Sequence, residues 1–131
     1  MNSMMLVPNI KESQNSLLER YIKDITLGNK EALANLYEQT KSAIYGFSLS
    51  ILRNTHEAED VLQDVYIKVY ENANTYQANG KPLAWMITIT KNLALMKIRK
   101  KKNHKDVDEL KEVLTDNKGI KDAENKLIID T

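Results

Sequence analysis

Glu57, Glu59, Asp60 and Asp64 bring four carboxylates into eight residues, and six Lys or Arg side chains crowd between Lys97 and Lys105. The carboxylates could hold a hard cation through their oxygens, or simply form a solvated or protein-binding face. The basic cluster could neutralise phosphates, or only solubilise a helix end at the negative pole of its dipole. Catalysis finds no support. His56 and His104 sit in no HExxH or ExxH pattern, and there is no Gly-rich phosphate loop, nucleophile elbow or Ser/His/Asp order. Cysteine is absent, which excludes disulfides, thiolate zinc sites and a thiol nucleophile. These residues predict a binding protein, not an enzyme, with no cofactor and no metal.

The net charge of +1 conceals a strong asymmetry. Residues 1–71 sum to −3, residues 72–105 hold eight basic residues and no acid, and residues 106–131 sum to −4. Such a division predicts a polyanion partner for the middle block and a different partner elsewhere. An acid-free run of this length exceeds what helix capping needs and favours a phosphate-binding surface. Trp85, the single tryptophan, either packs in the core or offers a stacking platform to an unpaired base, worth about 1–3 kcal/mol in single-strand binders. Tyr76 is a second stacking candidate, with the amides of Asn74, Gln77 and Asn79 able to bond an extruded base edge. Such a stretch is otherwise an ordinary loop.

Helices must carry these groups. Four glycines and two prolines in 131 residues argue against a loop-rich or all-β fold, and a 42% hydrophobic share suffices for a core that must be largely aliphatic. A first helix is predicted from Ser16 to about Leu27, stopped by Gly28. Asn29 then caps a second helix that runs to about Leu52, with Leu33, Leu36, Tyr37, Ile44, Phe47 and Ile51 on one face. After a break at Arg53 and Asn54, Thr55 is the expected cap of a third helix. Its stripe is Ala58, Val61, Leu62, Val65, Tyr66 and Val69, and Asp60, Gln63, Asp64, Ile67 and Glu71 lie opposite.

Residues 72–81 read as a polar loop, and Pro82 opens a fourth helix extending to about Lys102. The apolar side of that helix holds Met86, Ile87, Ile89, Leu93, Ala94, Met96 and Ile98. A narrower strip holds Thr88, Lys91, Asn92, Leu95, Arg99 and Lys102, with Trp85 at its edge. A short helix around Val107–Leu114 and a further element at AENKLIID are expected beyond. The fold predicted is all-α: a compact bundle of about four helices over residues 16–103, with a basic last helix. A flexible tail over 1–15 precedes it and a flexible acidic segment over 104–131 follows. MNSMMLVPNIKESQ is neither a signal peptide nor a membrane span, so no membrane insertion is expected and the natural reading is a soluble, cytoplasmic protein.

In LANLYEQTKSAIYGFSLSILRNTHEAEDVLQDVYIKVYENANTY and KPLAWMITITKNLALMKIRKKK, the AED-x-x-Q-D core (Ala58, Glu59, Asp60, Gln63, Asp64), the pair Ala84–Trp85 and the N-L-A at Asn92–Ala94 follow one another in order. Over about residues 29–103 this set resembles the second conserved region of the extracytoplasmic-function sigma factors of bacterial RNA polymerase. The resemblance implies that Asp60, Gln63 and Asp64, and with them Glu59 and Tyr66, dock on the clamp helices of the largest subunit of core RNA polymerase; Ile67, a large aliphatic residue amid carboxylates on the outward face, is a further contact candidate on its own chemistry. The resemblance also implies that the loop and basic helix open promoter DNA at the minus-ten element and hold the non-template strand. A base would be flipped into the loop spanning Asn74, Tyr76, Gln77, Asn79 and Lys81, and Lys91, Asn92 and Arg99 match the helix face that meets DNA. Thr88 and Lys102 share their strip, and Trp85 matches the family's tryptophan, with stacking on DNA and support of the fold both open to it.

The resemblance implies continuation into a helix-turn-helix domain that reads the minus-thirty-five element; residues 104–131 are expected to be a linker leading toward such a domain, which is expected to be absent from these 131 residues. An anti-sigma factor is a further partner implied by the resemblance. A pure protein-interaction module and a nonspecific duplex-DNA binder are the competing readings of the same surfaces.

Overall fold

The structure is a computed structural model that describes the backbone of residues 10–115 and the side chains of residues 14–103. Among the described residues four α-helices follow one another: α1 (Ile10–Thr26), α2 (Lys30–Leu52), α3 (Thr55–Asn72) and α4 (Pro82–Thr115), with one 3-10 turn at Ala73–Thr75. No strand occurs among the described residues. The fold is all-α, as the composition and periodicity predict.

Local chemistry sets the helix ends. At the end of α1 the N–H of Asn29 donates to Asp24 O and that of Gly28 to Ile25 O, both at 3.0 Å. This paired closure needs a left-handed residue, and Gly28 supplies it at φ 88. Asn29 then serves the next helix, its Oδ1 accepting from the Ala32 N–H at 3.2 Å. α2 ends with Arg53 in the left-handed region at φ 52, its N–H donating to Leu49 O at 2.8 Å.

The chain divides between Leu95 and Met96 into two compact units. In the first, α1 packs on α2, and α2 on α3. Ile22, Leu36, Ile44, Val65, Val69 and Met86 lie at the centre, each at most 1% exposed. Tyr37 meets Tyr66 edge to face at 4.9 Å, a favoured aromatic geometry. In the second unit the described residues are the continuation of α4 to Thr115.

Several expectations are corrected. α1 begins at Ile10 rather than Ser16, because residues 10–15 contain no helix breaker. The buried line of α2 is Ala32, Leu36, Thr40, Ile44 and Ser48, a strict i+4 row that fits a neighbouring helix groove; Phe47 and Ile51 flank it, half-buried. Asn54, not Thr55, caps α3: it is extended (φ −144, ψ 123), and its Oδ1 accepts from the Glu57 N–H at 3.0 Å.

α4 does not stop near Lys102, because neither Gly nor Pro interrupts the sequence between Pro82 and Gly119; the expected separate helix at Val107–Leu114 and the start of the expected flexible acidic segment are part of it. Met96 and Ile98, expected on the apolar side of α4, are 59% and 41% exposed. Residues 1–9 and 116–131, including the predicted AENKLIID element, lie outside the described residues.

Candidate nucleic-acid interface

The apolar stripe of α3 turns its opposite face outward. Glu59, Asp60, Gln63, Asp64 and Glu71 are all exposed, and Ile67 stands among them at 55% exposure, with Tyr70 at 54%. Tyr66 does not share that face. It is 6% exposed, and its hydroxyl lies 2.6 Å from Thr40 Oγ1 in the interior. Among the described residues no group of three or more His, Asp or Glu is arranged to hold a metal ion.

The segment between α3 and α4 is more ordered than a polar loop. Its first three residues form the 3-10 turn, which buries Ala73. Tyr76 is half-buried with its ring 5.0 Å from that of Trp85, tilted by 55°, and Trp85 packs against the core in turn. The Tyr76 hydroxyl donates to Glu19 Oε2 at 2.6 Å, and the Gly80 N–H donates to the same oxygen at 3.1 Å. Asn79 Oδ1 accepts from the Lys81 N–H at 3.0 Å, tightening the turn at Gly80, which sits at φ 76. Burial, and after it the Glu19 carboxylate, pushes the Tyr76 phenol up to about 12.

Glu19 had no functional reading in the sequence. It lies on α1, 57 positions before Tyr76, and no spacing rule relates the two. A cleft of about 540 Å³ opens here, walled by Glu19, Arg20 and Lys23 of α1 on one side and by Asn74, Tyr76 and Ala78 on the other. Its size is that of an ordinary small-ligand site. Three of the predicted loop residues, Gln77, Asn79 and Lys81, are exposed outside its named walls.

On α4 within the first unit, Pro82, Met86, Thr90 and Ala94 form the buried i+4 row. Thr88, Lys91 and Asn92 face outward together, as their spacing predicts. In the second unit Arg99, Lys100, Lys101 and Lys102 are exposed. No helix among the described residues is long and apolar enough to cross a membrane.

Comparison with known proteins bears on this arrangement. A family model described as sigma-70 region 2 matches residues 36–104, the stretch that runs from α2 through the acidic face and the loop into the basic helix. The chain belongs to the sigma-70 region 2 family. It is 35% identical over 86 residues to the ECF RNA polymerase sigma factor SigW of Bacillus subtilis (strain 168), covering 66% of this chain and 46% of that one. It is 31% identical over 93 residues to SigK of Mycobacterium tuberculosis (strain H37Rv), also named an ECF RNA polymerase sigma factor, covering 70% and 48%. The chain thus spans about half the length of these relatives. All of the α1 wall of the cleft, Glu19 included, lies before the matched span of this region 2 domain.

Proposed function

We propose that this region 2 domain docks on core RNA polymerase through α3 and captures melted promoter DNA through the loop and α4. The docking contacts are Asp60, Gln63 and Asp64, flanked by Glu59 and Ile67, against the clamp helices of the largest subunit. Tyr66 supports that helix from inside instead of touching the partner. The second contact is the non-template strand of the minus-ten element, whose flipped base enters beside Asn74 and Tyr76. Gln77, Asn79, Lys81, Trp85, Thr88, Lys91 and Asn92 meet the bases and phosphates around it, and Arg99 and Lys102, in the second unit, are further phosphate contacts. Such a protein works where its polymerase does, in the bacterial cytoplasm.

The cleft is the observation that carries this reading. It stands against a loop rich in amides and beside an aromatic pair; its loop wall belongs to the acid-free part of the chain, and its α1 wall carries Glu19 with Arg20 and Lys23. Unstacking a base costs a few kcal/mol, and stacking, phosphate contacts and polymerase docking together offset it. The domain does no covalent chemistry in this reading. It selects an opened strand by binding it better than the closed duplex, which shifts the duplex equilibrium toward melting.

The test compares a labelled single strand with its own duplex, with and without core polymerase. Preference for the single strand is expected, strengthened by polymerase. With about five basic side chains on single-strand phosphates, the log–log salt slope is about −3 to −4. Equal affinity for strand and duplex would make the domain a nonspecific DNA binder. Indifference to the polymerase together with that equality would overturn the proposal.

A further inference from the structure

We propose that Glu19 is the positioning residue that seats the base-binding loop, holding Tyr76 and Gly80 so that α1 and the loop enclose the cleft between them. The proposal rests on the base-pocket reading above and names a residue outside the family-matched span of 36–104.

Charge makes Glu19 an odd neighbour for nucleic acid. A carboxylate beside a cleft that receives a DNA strand repels phosphates, so its presence needs a compensating role. The geometry supplies one, since a single oxygen, Oε2, takes both the Tyr76 hydroxyl at 2.6 Å and the Gly80 N–H at 3.1 Å. Hydrogen bonds to an ionised acceptor are roughly twice as strong as neutral ones. The two donors bracket the loop, one near its start and one at its left-handed turn, where Gly80 holds φ 76. The Tyr76 hydroxyl is thereby held by Glu19, with a longer contact to Asn79 Oδ1 at 3.3 Å, and its ring rests by Trp85 at 5.0 Å. A loop seated before the strand arrives loses less conformational freedom on binding. The phenol, raised to about 12, remains a donor at ordinary pH.

Trp85 is the only tryptophan, so its fluorescence reads the seating of Tyr76 without any DNA. The experiment uses the full chain as wild type, Glu19→Ala, Glu19→Gln, Tyr76→Phe and the Glu19→Ala/Tyr76→Phe pair. Each is checked for helicity and examined by Trp85 emission and acrylamide quenching. Binding is measured with a base-bearing 12-nucleotide single strand and with an abasic strand of equal length, which keeps the phosphates and removes the bases.

Glu19→Ala is expected to expose Trp85 and to lower the preference for the base-bearing strand by about tenfold, the scale of one lost base stack, with abasic binding no weaker. Glu19→Gln keeps an oxygen acceptor and removes the charge, so its base preference should stay within about twofold of wild type. Because one of the two bonds to Glu19 is the one Tyr76→Phe also removes, the double variant should be less impaired than the sum of the two singles. Unchanged Trp85 quenching in Glu19→Ala, or base preference surviving in it, overturns the latch while leaving the base pocket standing. A wild-type chain that binds base-bearing and abasic strands equally overturns the pocket reading and the proposal with it.

Discussion

The hydroxyl of Tyr66 on α3 lies 2.6 Å from Oγ1 of Thr40 on α2, inside the core and 26 positions away in sequence. Thr40 gives its own proton to Leu36 O at 2.7 Å, so Tyr66 is the donor of the pair. The bond ties α3 to α2, on which it packs, directly behind the acidic face.

Replacing Tyr66 by Phe removes that donor and leaves the ring edge against Tyr37. Thr40 keeps its bond to the backbone, so no buried donor is orphaned. The expected loss is about 1 kcal/mol in urea unfolding, with the outward residues of α3 undisturbed. A change in polymerase binding larger than this loss explains would place Tyr66 at the interface after all.

Burial raises the Tyr66 phenol from 10.0 to about 12, and Tyr76 moves in the same direction. Above pH 10 the unfolded chain releases these protons while the folded one retains them. Stability therefore stays level on this account below about pH 10 and falls as pH rises toward 12. Unfolding midpoints measured across that interval should decline less steeply in Tyr66→Phe than in wild type.

Ser48 Oγ is buried and has no hydrogen-bond partner among the described residues. Ser48→Ala removes a desolvated hydroxyl at almost constant shape. Stability should rise by about 1 kcal/mol, read as a higher denaturant midpoint with unchanged slope.

Gly46 lies inside α2 with ordinary negative φ, and a Cβ built there meets nothing within 4 Å. Gly46→Ala should stabilise the domain by about 0.5–1 kcal/mol through reduced freedom of the unfolded chain. At Gly28 and Gly80, both left-handed, the same replacement should destabilise instead.

Asp60, Gln63 and Asp64 share the exposed face of α3. Changing all three to Ala should shift stability by only about 0.5 kcal/mol per site while sharply weakening capture by core polymerase. Retained capture, with the fold verified by circular dichroism, would move the docking surface elsewhere.

The sequence by itself determined the helices, most of their ends and the outward position of the acidic row. Those properties are local: Asn29 reaches three residues ahead to Ala32, Gly28 alone tolerates its φ, and the stripe from Ala58 to Val69 follows from one helical period. The AED-x-x-Q-D and Ala84–Trp85 motifs were equally legible, since their order needs no contact to be read.

Only the tertiary structure decided what each face meets. Tyr66 and Ile67 are neighbours in sequence, yet the fold buries one against Thr40 and leaves the other 55% exposed. Met96 and Ile98 match an apolar pattern, yet they are 59% and 41% exposed. Glu19 gained its role from donors 57 and 61 positions away. Periodicity reports how often a face recurs along one helix, whereas burial and hydrogen bonding depend on which distant element that face finds.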